Sequence, residues 1–183
     1  MSCQKGPYLE LIVGPMFSGK TSYLIDIYNK YHKSNIKQIV INHSLDTRYS
    51  DKKMVSHDKN EIDCIFKDNL TDIDIDDEIK IILINEGQFF SNLKNWVLKQ
   101  LKRNKIIYIC GLDGDYKQEK FGEILDLIPI CDNIVKLRSL CGLCSKNNII
   151  CDAPFTIRIT NEQDQKVVGV DNYIPVCRSC INN

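Results

Sequence analysis

A segment close to the N-terminus has the residue types and spacing of a phosphate-binding loop. Its residues are Gly14, Pro15, Met16, Phe17, Ser18, Gly19, Lys20 and Thr21, which fit the pattern G-x-x-x-x-G-K-[ST]. The glycines would let consecutive backbone N–H groups face one anion, and Lys20 would reach the β- and γ-phosphates of a nucleotide. The hydroxyl of Thr21 would bind Mg²⁺, and the following helix would point its N-terminus at the phosphates. The sequence therefore predicts a site for nucleotide phosphates.

A candidate acid follows an apolar run in the middle of the chain. The run Ile79–Ile84 ends at Asn85, and Glu86 comes next. Because ligands of α/β proteins bind where parallel strands end, Glu86 is placed to act as a general base on an acceptor hydroxyl or as an acid at a metal site. Phosphate-loop enzymes usually hold Mg²⁺ with an acid in this region, whereas here the amide of Asn85 occupies the first position after the run.

Four cysteines near the C-terminus form two C-x-x-C pairs. Cys141 is paired with Cys144, and Cys177 with Cys180. Two thiolates two residues apart can bind one tetrahedral ion, and two such pairs close a four-cysteine site with no open position. We predict a structural zinc ion that anchors both ends of residues 145–176 and makes a loop of them. Redox pairing and unligated thiols are the alternatives.

The elements that would position these residues alternate between strand and helix as far as residue 137. This alternation predicts an α/β fold with a mostly parallel central sheet. The predicted strands are Leu9–Val13, Gln38–Ile41, Ile79–Ile84, Lys105–Cys110 and Asn133–Leu137, and the predicted helices are Tyr23–Tyr31, Ser91–Arg103 and Phe121–Ile130. We therefore predict a nucleotide-binding α/β domain over residues 1–137.

The character of the chain changes at about Arg138, where the paired cysteines begin. Residues 138–183 are predicted to form a small zinc-binding subdomain. Within it, Phe155–Thr160 and Lys166–Val170 are predicted to pair as a β-hairpin, because the residues between them are polar and typical of a loop.

Composition excludes several classes of protein. Lys and Arg total 24 and Asp and Glu total 24, so the formal net charge is zero, which argues against a protein that coats nucleic acid. No apolar run is long enough to span a membrane, and the N-terminus lacks the apolar core of a signal peptide. We expect a cytoplasmic protein with neither nucleic acid nor a membrane as its partner.

Several segments together resemble the zinc-containing thymidine kinases, the cytosolic family also found in large DNA viruses and many bacteria. They follow the order of that family over nearly the whole chain. The segments are Gly14–Thr21, Asp46-Thr47-Arg48-Tyr49, His57-Asp58, Glu86-Gly87-Gln88-Phe89-Phe90, Leu112-Asp113-Gly114, Phe121-Gly122, Val135-Lys136-Leu137, Phe155-Thr156-Ile157-Arg158, Gly169-Val170-Asp171-Asn172-Tyr173 and both cysteine pairs.

The resemblance implies a fold and an activity. It implies a RecA-like phosphate-loop domain, a zinc-anchored lasso (residues 145–176) over a nucleoside, and a homotetramer. The implied reaction is transfer of the γ-phosphoryl group of ATP to the 5′-hydroxyl of thymidine, giving dTMP for DNA synthesis through nucleotide salvage. Zn²⁺ and Mg²⁺ are the implied metals, and dTTP is a candidate feedback inhibitor.

The resemblance also implies residue roles. Glu86 would take the proton of the 5′-hydroxyl, and Arg48 would stabilise charge on the transferring phosphoryl group. Asp46 would lie beside Arg48 at the thymidine site. Met16, Phe89, Leu112, Tyr116 and Phe121 would enclose the base, and the lasso around Lys166, Val167 and Val168, with Thr156 and Tyr173, would read the thymine edge and enclose the sugar.

Three positions depart from the pattern of that family. Asn85 stands where aspartate is usual, so Mg²⁺ binding is expected to be weaker, or Glu86 to carry more of the metal load. Val168 stands where glycine is common, which disfavours a turn with positive φ. Tyr116 stands where phenylalanine is common and adds a hydroxyl to the base pocket.

Three other functions fit parts of the pattern. One is a kinase for another deoxynucleoside, because Tyr116 and Val168 belong to the expected base pocket. Another is a nucleotide-binding regulator that has lost catalysis because of Asn85. The last is an ATPase motor or nucleic-acid translocase, against which the zero net charge, the single short domain and the zinc lasso argue.

Overall fold

The part of the chain that the structure describes contains twelve strands, four α-helices and four 3₁₀ helices. A computed structural model describes residues 6–46, 53–55, 61–167 and 169–182. The strands are β1 (Tyr8–Val13), β2 (Gln38–His43), β3 (Lys53–Val55), β4 (Glu61–Asp63), β5 (Ile65–Lys67), β6 (Ile81–Ile84), β7 (Ile106–Gly111), β8 (Asn133–Lys136), β9 (Ser139–Leu140), β10 (Asp152–Ala153), β11 (Phe155–Arg158) and β12 (Tyr173–Val176). The helices are α1 (Lys20–His32), α2 (Leu93–Lys102), α3 (Gly142–Ser145) and α4 (Arg178–Ile181).

A six-stranded parallel sheet lies at the centre of the protein. Its strand order is β5-β2-β6-β7-β1-β8, and every neighbouring pair is parallel. The predicted α/β fold with a parallel sheet is therefore confirmed. Because all six strands run the same way, their carboxyl ends share one edge, and the loops that follow β1, β2, β6 and β7 all begin there.

Each face of the sheet carries its own apolar core. Along β1, Leu9, Leu11 and Val13 belong to the core that contains Trp96 of α2, whereas Ile12 belongs to the core that contains Leu24 of α1. This alternation follows from the period of two in a β-strand. Helices on both faces explain why β6 and β7 are nearly continuous runs of apolar residues.

The helical and short elements differ in detail from the sequence prediction. The segment Phe121–Ile130 forms a 3₁₀ helix only over Ile124–Ile130, and Pro129 lies inside it, where it cannot donate the hydrogen bond of a regular α-helix. The short strands β3, β4 and β5 were not predicted from the sequence. No helix within the described ranges has the length and the apolar character that a membrane span requires.

The predicted β-hairpin near the C-terminus has a different second strand. Strand β11 pairs in antiparallel register with β12, so that Phe155 lies opposite Val176 and Arg158 opposite Tyr173. The prediction that residues 166–170 form the partner strand is wrong. Strand β12 runs directly into Cys177, so the cysteine cluster holds it beside β11, and residues 159–172 are left as the lasso tip.

Lys105 is a buried cation that fastens a surface loop to the sheet. It is 1% exposed, and its Nζ donates to the carbonyl oxygens of Asp76 at 2.9 Å and of Ile79 at 2.5 Å. Burial lowers the pKa of this ammonium group. These bonds offset the cost of placing a charge in the core, because a buried charge is tolerated only when it is well hydrogen-bonded.

Replacing Lys105 with Met should lower the free energy of unfolding by about 2–3 kcal/mol, because the carbonyl groups of Asp76, Asp77 and Ile79 would lose a charged donor. Urea titration followed by circular dichroism measures this change. Lys102→Met provides the matched control, since Lys102 is exposed on α2. Equal stability of the two variants would contradict the anchoring role of Lys105.

Candidate active site

The predicted phosphate-binding loop lies between β1 and α1. Gly14 has a φ of +150°, and a Cβ atom there would lie 2.6 Å from the carbonyl oxygen of Leu137. Gly19 has a φ of +83° and immediately precedes the first residue of α1. Both conformations favour glycine, so the backbone can curl and present the N-terminus of a long helix to an anion.

Lys20 reaches back across this loop. Its Nζ donates to the carbonyl oxygen of Pro15 at 2.6 Å and lies 3.5 Å from Oγ of Ser18. The hydroxyl of Ser18 also donates to the carbonyl oxygen of Pro15, at 2.9 Å. The ammonium group is thus held at the mouth of the loop, where it can bind a phosphate oxygen.

Glu86 follows β6 in a left-handed backbone conformation, with a φ of 55°. Nε2 of the buried Gln88 donates to Oε2 of Glu86 at 2.6 Å. Oε1 of Gln88 accepts the backbone N–H of Leu112 at 3.0 Å. Gln88 therefore ties Glu86 to the loop that follows β7 and fixes the direction of its carboxylate. A left-handed backbone at a non-glycine residue is frequent where a side chain must be aimed at a ligand.

Asn85 is fully enclosed at the end of β6. Its Nδ2 donates to Oδ1 of Asn42 at 3.1 Å and lies 3.5 Å from Oδ2 of Asp46. Its Oδ1 accepts the thiol of Cys110 at 2.9 Å. Both ends of the amide are therefore engaged by neighbouring side chains. Asp46, in contrast, lines the cavity that contains the phosphate loop.

A cavity of about 420 Å³ joins the phosphate loop to a group of aromatic side chains. Phe89 and Phe121 meet edge to face with ring centroids 5.5 Å apart, as aromatic rings prefer. The predicted site residues that line this cavity are Met16, Phe17, Ser18, Gly19, Lys20, Thr21, Asp46, Glu86, Phe89, Leu112, Tyr116, Phe121, Thr156, Lys166, Val167 and Tyr173.

The lasso tip is fastened over this cavity by hydrogen bonds and stacking. The hydroxyl of Tyr116 donates to the carbonyl oxygen of Gln163 at 2.9 Å, and the guanidinium of Arg158 lies 3.9 Å from the centre of the Tyr116 ring. Arg158 also donates to the hydroxyl of Tyr173 at 2.7 Å, and that hydroxyl donates to the carbonyl oxygen of Val167 at 2.8 Å. These contacts fasten the tip to Tyr116 and to the two residues that flank it, Arg158 and Tyr173.

The four paired cysteines converge at the base of the lasso. Their sulfur atoms all lie within 4.8 Å of one another. Sγ of Cys144 is 3.7 Å from Sγ of Cys177 and 3.6 Å from Sγ of Cys180. A tetrahedral zinc ion with Zn–S bonds of about 2.3 Å places its sulfur ligands about 3.8 Å apart. The cluster fits such an ion, so the predicted four-cysteine arrangement is confirmed as a possible metal site.

The four thiols differ in their electrostatics. A hydrogen bond with Cys180 raises the pKa of the Cys144 thiol, whereas a backbone N–H group lowers the pKa of the Cys177 thiol. Burial by itself would raise the pKa of the Cys141 thiol, but backbone N–H groups of Cys144 and Cys177 bring it down to about 6. A lowered thiol pKa favours the thiolate, which is the form that binds a metal ion.

Comparison with known proteins places the chain in a family. A family model described as thymidine kinase matches residues 7–181. The chain belongs to the thymidine kinase family. It is 39% identical to a thymidine kinase of Amsacta moorei entomopoxvirus, with 96% of this chain and 98% of the relative aligned. It is 34% identical to the thymidine kinase of Myxoma virus strain Uriarra, with 96% of each chain aligned.

A plant relative shows how widely this family is spread. The thymidine kinase of Oryza sativa subsp. japonica is 37% identical over 93% of this chain and 64% of the plant protein. Membership in the thymidine kinase family confirms the predicted resemblance and makes the protein a kinase. The individual site residues stay predictions, because the family match says nothing about the role of each side chain.

A few predicted site residues lie elsewhere. Gly14 and Pro15 shape the phosphate loop but are not among the cavity-lining residues, and Asn85 is enclosed behind Asp46. Arg48 and Val168 lie outside the described residues.

Sequence reasoning also missed several lining residues of this thymidine kinase family member. They are Ser22, Leu45, Gln88, Gly114, Asp115, Gln165 and Gly169. Gln88 could have been suspected, because it lies two residues after Glu86 and carries both a donor and an acceptor. For Gln165 no local signal exists, since its partner Asp115 is distant along the chain.

Replacing Tyr116 with Phe should raise the KM for the nucleoside about 3–10-fold with little change in kcat. The ring and its stacking on Arg158 remain, but the hydrogen bond to Gln163 is lost, and such a bond contributes about 0.5–1.5 kcal/mol. Steady-state kinetics measure both constants. Tyr28→Phe is the control, because Tyr28 lies on α1 outside the cavity. An unchanged KM would show that the hydroxyl does not hold the lasso tip closed.

Proposed function

We propose that this protein is a thymidine kinase that transfers the γ-phosphoryl group of ATP to the 5′-hydroxyl of thymidine. The observation that carries this proposal is that phosphate-loop residues, aromatic side chains and Glu86 all line one and the same cavity. A phosphate donor and a flat nucleoside acceptor can therefore meet at one carboxylate.

The donor phosphates would be bound by the loop. Lys20 and the backbone N–H groups from Phe17 to Thr21 would hold them, and the N-terminus of α1 adds a favourable dipole. The hydroxyl of Thr21, which lines the cavity, would bind the magnesium ion. That ion, when bound, neutralises charge that develops on the phosphate oxygens. Asn85 would act on the magnesium site only indirectly, because its amide is engaged by Asn42 and Cys110.

The acceptor hydroxyl would be activated by Glu86. Its carboxylate, aimed by Gln88, would take the proton of the 5′-hydroxyl as that oxygen attacks the γ-phosphorus. We retain Arg48, on the family resemblance, as the cation that stabilises the transferring group.

The thymine ring would lie among the aromatic and apolar side chains of the cavity. Phe89, Phe121 and Tyr116 supply flat surfaces for stacking, and Met16 and Leu112 supply further apolar area. Thr156, Tyr173 and the backbone around Lys166 and Val167 would then contact the polar edge of the base and the sugar. The backbone N–H of Met16 donates to Oγ1 of Thr156 at 2.9 Å, which couples the phosphate loop to the lasso.

Zinc and the domain division belong to the same proposal. Residues 1–137 would form the nucleotide-binding domain, and residues 138–183 a lasso subdomain whose fold depends on zinc bound by the four cysteines. The homotetramer, the cytoplasmic location and feedback inhibition by dTTP stay predictions that rest on the family resemblance.

Transfer of labelled γ-phosphate from ATP to a panel of four deoxynucleosides tests the function. Labelled dTMP as the main product is the expected result. If the main labelled product is the monophosphate of another deoxynucleoside, that deoxynucleoside replaces thymidine as the proposed substrate. ATP hydrolysis that nucleic acid stimulates, without any labelled nucleotide, would contradict the proposal.

A further inference from the structure

Two asparagines that are distant in sequence meet at the carboxyl edge of the sheet. Strands β2 and β6 pair so that Ile41 lies opposite Ile84, and the next residues of each strand are Asn42 and Asn85. Both asparagine side chains are 1% exposed. A buried amide is costly unless its donors and acceptors are satisfied, so this pair requires an explanation.

Both amides donate toward one carboxylate. Nδ2 of Asn42 donates to Oδ2 of Asp46 at 2.9 Å, and Nδ2 of Asn85 lies 3.5 Å from the same oxygen. Asp46 is 9% exposed and lines the cavity together with Glu86. The two amides thus stabilise a nearly buried anion at the edge of the proposed active site.

The orientation of each amide is fixed by a donor on its oxygen. Oδ1 of Asn42 accepts the backbone N–H of His43 at 3.0 Å, and Oδ1 of Asn85 accepts the thiol of Cys110 at 2.9 Å. With its oxygen engaged in this way, each amide turns its NH₂ group to the other side. The NH₂ group of Asn42 donates to Asp46 at 2.9 Å, and that of Asn85 lies 3.1 Å from Oδ1 of Asn42 and 3.5 Å from Oδ2 of Asp46. All hydrogen bonds of this network therefore donate in the same sense: Cys110 of β7 and the backbone N–H of His43 donate to the two amides, and the amides donate toward the carboxylate of Asp46.

We propose that Asn42 and Asn85 are positioning residues that hold the Asp46 carboxylate in place for phosphoryl transfer, an inference that rests on the proposed function. An aspartate at position 85 would direct a carboxylate oxygen at Oδ2 of Asp46, and like charges this close repel strongly in a buried site. The amide supplies a donor instead.

Asn85→Asp tests the proposal, because it removes the donor without changing side-chain volume. We expect kcat for dTMP formation to fall about 10–100-fold, the usual cost of losing a supporting contact, while the KM for thymidine changes less than about threefold. The thermal midpoint of unfolding should also fall. The proposal would be overturned if the variant kept the wild-type kcat or needed less Mg²⁺ than the wild type. Either result would show that a negative charge at position 85 does no harm to catalysis.

The swap Asp46→Asn with Asn85→Asp separates positioning from stability. The double variant again has one carboxylate and one facing amide, so its thermal midpoint should recover, but kcat should stay as low as in Asp46→Asn alone. Recovery of kcat would show that the position of the carboxylate is unimportant and would overturn the proposal.

Asn95→Asp is the matched control, because it makes the same exchange at an exposed position on α2, outside the cavity. We expect its kcat to stay within about threefold of the wild type, and a loss as large as that of Asn85→Asp would overturn the proposal. A wild-type protein that forms no dTMP would refute the proposed function itself. An active wild type with an equally active Asn85→Asp variant would refute the positioning role alone.

Discussion

Replacing Glu86 with Gln should lower kcat for dTMP formation by about 10²–10⁴-fold, the range that general-base catalysis contributes. Glutamine has the same shape and can still accept a hydrogen bond from Gln88, whose Nε2 lies 2.6 Å from the present carboxylate. It cannot take a proton from the 5′-hydroxyl. Binding of ATP should change little, because the phosphate loop is untouched. Single-turnover assays with labelled ATP, beside a separate measurement of ATP affinity, distinguish the two effects.

Glu78→Gln is a suitable control for this loss. Glu78 is exposed, lies outside the cavity and forms an ion pair with Lys37 at the surface. Such a pair contributes little to stability, so this variant should retain the wild-type rate. If Glu86→Gln kept more than about a tenth of the wild-type kcat, a different group would have to accept the proton, and the assignment of Glu86 as the base would be wrong.

Replacing Cys177 with Ser should remove zinc from the protein and reduce activity to background levels. The Sγ atoms of Cys177 and Cys144 lie 3.7 Å apart, and loss of one of four thiolates opens a closed structural site. Metal binding supplies folding free energy, about 10–16 kcal/mol in small zinc domains, so the lasso should lose its ordered structure. Metal analysis per chain and kinase assays measure the two losses.

The sheet should survive this substitution, because its two apolar cores share no residue with the cluster around the cysteines. Amide hydrogen exchange should therefore show protection kept in 1–137 and lost in 138–183, which tests the proposed division into domains. Cys131→Ser is the control. Cys131 lies outside the cluster, and a serine hydroxyl can still donate to the carbonyl oxygen of Ile128. A Cys177→Ser protein with full zinc content and full activity would contradict the zinc assignment.

Features that depend on consecutive residues could be predicted from the sequence. All residues that define the phosphate loop lie in one short stretch of the chain. The spacing of Gly14, Gly19 and Lys20 determines both the shape of the backbone and the position of the positive charge. The parallel sheet could be predicted because strands covered on both faces must be apolar throughout. The cysteine pairs were equally local, since two ligands of one ion lie within each pair.

Partner choice across the lasso could not be predicted in the same way. The polar loop after β11 correctly indicated a turn back, but the returning strand is Tyr173–Val176 and not residues 166–170. Both segments have residues that can form a strand. The cysteine cluster decides between them, because it fixes the end of β12 beside α3, and this constraint exists only in three dimensions.

The available chemistry could be predicted from the sequence alone: a phosphate loop, an acid after a buried strand and a four-cysteine cluster. The role of Asn85, in contrast, depends on contacts that form only in the folded protein. The sequence predicted that Asn85 is a weakened magnesium ligand. In the structure, its amide instead faces Asn42 and Asp46, which are far away along the chain. They meet because β2 and β6 pair with Ile41 opposite Ile84. Strand register is set by the burial of whole faces of the sheet, and no single stretch of the chain contains that information.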